Sequence, residues 1–127
     1  MVAHTPPVAY FAHLPPDWHQ YPQPPGDVAL SWRYRPNSNG WASSMPEGGI
    51  AVSVFFPTDK PHYPRLRLVL PSKPFTLLEG TTDTPEYRIH GRVRGVDVEI
   101  WTDIRQRHPS LRQLRLAQRV ISGIRFR

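Results

Sequence analysis

Cysteine is missing from all 127 residues, which excludes disulfides, thiolate metal sites and cysteine nucleophiles. Lysine is nearly missing too. Only Lys60 and Lys73 stand beside 14 arginines, a bias that genomic composition produces as readily as function. No apolar run approaches the roughly 20 residues of a membrane-spanning helix. Prolines interrupt every candidate stretch near the start, and no Lys or Arg precedes Arg33, so a secretory leader is not expected. The lack of a leader pattern and of a membrane-length apolar run leads to the expectation of a cytoplasmic protein with no transmembrane segment; the absence of cysteine does not identify a compartment.

Several chemistries are also missing. Neither GxGxxG nor GxxxxGK[ST] occurs, so the glycine cradles that hold dinucleotides or nucleoside triphosphates are not expected. There is no HExxH, and the six histidines do not show metal-ligand spacing. His4, His13 and His19 share one segment but make a weak metal set. No cofactor and no metal are expected.

What is plentiful is proline, 16 residues, seven of them before Gly26. Proline removes amide donors, and the stretch 1–26 shows no sustained period of two or 3.6, so it reads as a proline-rich N-terminal arm. Tyr10, Phe11, Trp18 and Tyr21 would anchor such an arm if it lies along its own domain or a partner. Residues 27–127 read as a single domain, and no internal repeat is present.

Alternation marks the strands. Val28, Leu30, Trp32 and Tyr34 share one face, as do Ile50, Val52, Val54 and Phe56, and then Leu66, Leu68 and Leu70. "FTLLEG" is a weaker fourth strand, ending near Gly80. Residues 86–103 read as a hairpin. Its simplest register sets Arg92 opposite Gly95, His90 opposite Asp97, Arg88 opposite Glu99 and Trp101 beside Glu86; an alternative with a longer loop sets His90 opposite Glu99. The period then changes. Leu111, Leu114, Ala117, Gln118 and Ile121 fall on one helical face, the helix starts either with Ser110 as its cap or with His108 preceding Pro109 at its first position, and Gly123 ends it. The expected fold is α+β: an antiparallel five- or six-stranded sheet covered on one face by a C-terminal helix.

Charge is uneven. Residues 1–64 carry three basic and four acidic groups, and residues 65–127 carry thirteen and six. The helix adds a stripe of Arg112, Arg115 and Arg119, a binding candidate toward anionic partners. No interleaved aromatic set for base stacking is evident, so weak, sequence-indifferent nucleic-acid binding is expected at low salt and little near about 0.15 M. Fluorescence anisotropy across a salt series checks this. Tight binding at the higher salt, lost on combined substitution of the three arginines by alanine, would make nucleic acid the leading partner.

Three further candidates are large apolar side chains. The loop "RPNSNGWASSMPEGG" displays Trp41 and Met45, which either contact a partner or fold back over the sheet, and Trp101 is a third exposed candidate. An enzyme would draw on a His/carboxylate pair, His90 with Asp97 or Glu99, or Asp103 with His108. No nucleophile or substrate-orienting set accompanies either pair, so no catalytic residue is assigned. The expectation is a non-enzymatic interaction or structural protein acting through self-assembly, as a homodimer, or through a protein partner.

Overall fold

The computed structural model describes residues 8–36, 39–57 and 62–127. His4, and Asn37 and Ser38 of the "RPNSNGWASSMPEGG" stretch, lie outside these. The chain forms an α+β fold built on a six-stranded antiparallel sheet, with one C-terminal helix and a separate two-stranded ribbon. In chain order the elements are β1 (Ala9–Phe11), β2 (His19–Gln23), β3 (Gly26–Leu30), β4 (Ile50–Phe55), β5 (Thr76–Leu77), β6 (Pro85–Val93), β7 (Val96–Ile104), α1 (Leu111–Ser122) and β8 (Ile124–Phe126). The large sheet runs β2-β3-β4-β7-β6-β5, and β1 pairs with β8.

The proline-rich stretch is structural from residue 8 onward. Its β1 lies against β8, and its β2 closes one edge of the large sheet. Phe11 and Trp18 reach the main core. Period analysis misses both strands because β1 is three residues long and β2 contains Pro22, which an edge strand accommodates on its unpaired side.

The hairpin adopts the alternative pairing, not the simplest one. His90 stands opposite Glu99, Arg92 opposite Asp97 and Arg88 opposite Trp101, with Val93 and Val96 closing the ladder. The turn decides it. Arg94 (φ 50°) and Gly95 (φ 78°) both take left-handed backbone, the requirement of a primed two-residue turn that matches strand twist. A turn through Val93 would have put a β-branched residue in that region.

One face of the sheet carries the main core. Val52, Val54, Ile89, Ile100 and Ile104 meet Ala117, Val120 and Ile121 of α1. Leu111 is the exception to the expected helical face: it is exposed, because it lies in the first turn and is rotated about 120° from Ala117 at 100° per residue. Ser110 caps the helix with a reciprocal pair of bonds to Gln113, and the chain leaves α1 at Gly123.

Residues 65–70 keep their expected alternation but not their expected ladder. Leu66, Leu68 and Leu70 are half-buried against the main core, yet only Arg65 bridges a strand, at Arg92. The segment is held from the helix instead. Gln118 donates to the Leu68 carbonyl at 2.9 Å and accepts from the Leu70 amide at 2.7 Å. Its place on the inner helical face thus has a polar purpose.

Candidate functional site

The second face of the sheet is where polar chemistry gathers. Its β2-β3 half is covered by the loop after β3: Trp32 and Trp41 meet edge to face at 6.3 Å, Tyr21 and Tyr34 at 5.6 Å, and the Trp41 indole donates to Gln23 at 3.0 Å. Trp32 therefore packs in a satellite cluster with Val28, Leu30 and Ala51, apart from the main core. Met45 is 4% exposed, so its side chain offers little surface to a partner. Its carbonyl accepts from Arg105 at 2.6 Å. Trp41 stays half-buried and lines a cleft of about 430 Å³ together with Tyr21, Pro22 and Tyr34.

The other half of this face, over β4, β7 and β6, carries a continuous row. Phe55 meets Trp101 edge to face at 4.7 Å, and the Arg88 guanidinium lies between the Trp101 ring at 3.9 Å and the Phe75 ring at 4.6 Å. Both contacts place a cation over a π face. Arg88 also forms an ion pair with Glu86 at 2.8 Å. A second stack sits beside it: Tyr63 lies on His90 at 4.8 Å, and Glu99 accepts from the Trp101 indole at 3.0 Å and the Tyr63 hydroxyl at 3.1 Å. The sequence pointed to Trp101 and, separately, to His90 with Glu99. Arg88 joins Trp101 through the true register, which sets the two opposite each other, and Phe75 is brought beside them by its amide bond to the Glu86 carbonyl.

Beneath the row lies a buried carboxyl pair. Glu86 and Asp103 face each other across β6 and β7, 2% and 1% exposed. Burial, and then the neighbouring Glu86, push the Asp103 carboxyl up to about 9. Arg88 lies against Glu86 at 2.8 Å, and a side-chain hydrogen bond between Asp103 and Glu86 adds to burial in favouring the protonated form of Asp103. The expected partnership of Asp103 with His108 is not formed, since His108 is exposed and Asp103 points into the sheet face. His90 and Glu99 do approach, at 3.5 Å. Asp97 pairs with Arg92 at 3.2 Å. Burial opposes its ionisation, but the bonds from Arg92 and the Tyr63 amide, with the charges of Arg92 and His62, outweigh that and hold its carboxyl below the usual range.

Arg112, Arg115 and Arg119 share the exposed outer side of α1, and none has a carboxylate within ion-pair distance among the described residues. Among those residues no group of three His, Asp or Glu could hold a metal ion, and no helix is long and apolar enough to cross a membrane. Neither a protein-family model, nor a curated protein, nor a solved structure matches the chain.

Proposed function

We propose that this chain is a non-enzymatic interaction protein that assembles with a second copy of itself through the β5 edge and the aromatic row beside it. The observation that carries the reading is the difference between the two edges of the large sheet. At one edge β2 contains Pro22 and runs into Pro24 and Pro25, residues that blunt strand addition. The opposite edge has no proline from Phe75 to Thr84, and Phe75 and Leu77 are 66% and 46% exposed. An open, apolar edge is a template for another strand.

The stretch around β5 is also self-complementary. In an antiparallel pairing about a two-fold axis at Thr76, Phe75 of one copy meets Leu77 of the other, and Lys73 meets Glu79. Trp101 and Arg88 lie next to that seam, and Trp and Arg are the residue types that most often anchor protein contacts. Light scattering at micromolar concentration is expected to give twice the 14.6 kDa of one chain. Combined Phe75→Lys and Leu77→Lys should return the single-chain mass, and Glu79→Lys alone should weaken the dimer until Lys73→Glu restores it. A folded wild-type chain of single mass at those concentrations would overturn the reading.

A second reading, contact with phosphate backbones, has one observation in its favour: the exposed stripe of Arg112, Arg115 and Arg119. The salt series described above tests it. A catalytic reading of His90 and Glu99 has less support, because Glu99 already accepts from Trp101 and Tyr63 and the imidazole is stacked under Tyr63.

A further inference from the structure

At the turn end of the β6-β7 hairpin, away from the carboxyl pair, a cleft of about 460 Å³ opens between the leucine segment and β8. Its lining falls into two sets. Leu66, Leu68, Val93, Ile124 and Phe126 make an apolar floor, and Arg65, Arg92, Arg94 and Arg125 are the only charged residues in its lining. We infer that this cleft is a binding site for a phosphate monoester carried on an apolar body.

The charge count favours that ligand class. Arg92 is compensated by Asp97, but Arg65, Arg94 and Arg125 have no carboxylate partner among the described residues. Arg94 donates to the Phe126 carbonyl at 3.2 Å, and Arg125 donates to the carbonyls of Ser122 and Ile124 at 2.8 and 3.0 Å. Carbonyls orient a guanidinium and leave its positive charge in place. Three uncompensated guanidiniums match a phosphate monoester, about −1.5 to −2 at neutral pH, better than a single carboxylate charge, and their planar forks suit its oxygens. The floor then takes the apolar body, and the volume lies within the range of small-molecule sites.

Arg94 adds an independent observation. It occupies the left-handed first position of a primed turn, where Gly, Asn and Asp are the favoured residues. An arginine there costs backbone strain that a glycine would avoid. Its guanidinium nevertheless lies on the cleft rim, so position and side chain serve different ends. This inference is separate from the assembly reading, whose residues lie along β5 and the aromatic row.

The test uses the whole chain and four probes: octyl phosphate, octanoate, octanol and inorganic phosphate, titrated by calorimetry with amide shifts followed by NMR. Octyl phosphate is expected to bind at least about ten-fold more tightly than each of the other three. Its shifts should centre on Leu66, Val93, Gly95 and Arg125. Arg94→Gly should raise the melting temperature and weaken octyl phosphate several-fold, a combination that a purely structural arginine would not give. Combined Arg65→Gln, Arg94→Gln and Arg125→Gln should remove the preference while the circular dichroism stays unchanged. Equal binding of octanol, of octanoate or of inorganic phosphate, shifts centred elsewhere, or unchanged affinity in a folded triple variant would each overturn the assignment.

Discussion

Urea unfolding across a pH series is expected to show stability falling as pH rises, and Asp103→Asn is expected to remove most of that slope. The cause is the proton on Asp103. Its carboxyl titrates near 3.8 when unfolded and near 9 in the folded chain, so between those values the folded chain holds a proton that the unfolded chain has released. Stability is therefore highest on the acid side of the window, declines through it and levels off above about 9. By neutral pH the penalty is on the order of a few kcal/mol, a large share of the stability of a domain this size. Asparagine presents a neutral donor to Glu86 without having to acquire a proton, so the variant should match wild type below about pH 4, where the unfolded Asp103 is protonated too, and exceed it increasingly toward about pH 8. The difference between the two proteins isolates this site, because the histidines and the lowered carboxyls of Asp97 and Asp83 are common to both. Parallel pH curves for the two proteins would refute the arrangement.

Glu86 and Asp103 also show what was legible in the sequence and what was not. The hairpin could be read, because alternation over two nine-residue strands leaves little doubt about which face each residue takes. Its pairing was harder. A change that keeps the same faces turns His90–Asp97 into His90–Glu99 and brings Asp103, not Trp101, opposite Glu86. Alternation cannot distinguish these registers; the backbone of Arg94 and Gly95 can. The helix and its arginine stripe were legible for the same reason as the hairpin, since one turn of mismatch at Leu111 leaves the rest of the face intact.

Short or proline-bearing elements carried no such signal. The ribbon of β1 and β8 has three residues on each side, too few for a period, and its partners are separated by most of the chain. The sites suffer from the same limit. Arg65, Arg92, Arg94 and Arg125 come from three segments that no local pattern connects, and only the crossing of the leucine segment over β6 brings them to one cleft. Trp41, Met45 and Trp101 were readable as large side chains between polar neighbours, but whether each faces outward depends on contacts with Gln23, Arg105 and Arg88 that lie far along the chain.

That crossing is itself open to a direct challenge at Gly91. The Leu66 backbone bonds Arg92 through its amide, and the Pro64 carbonyl accepts from Arg92, so the segment is pulled onto β6 at this one place. A β-carbon on Gly91 would lie 2.6 Å from Cδ1 and 2.7 Å from Cβ of Leu66, and closer still to its Cα. Gly91→Ala is therefore expected to cost about 1 to 3 kcal/mol, because the leucine segment has to lift or lose its two bonds to Arg92. Trimming the neighbour should not rescue it: Leu66→Ala removes Cδ1, but the Cα that meets the new methyl belongs to the backbone. Thermal unfolding of the two single variants and the double variant checks this, with restoration to wild-type stability in the double as the outcome that would sink it. Because Leu66 is also part of the cleft floor, the same lift should weaken octyl phosphate in Gly91→Ala even though no arginine has changed.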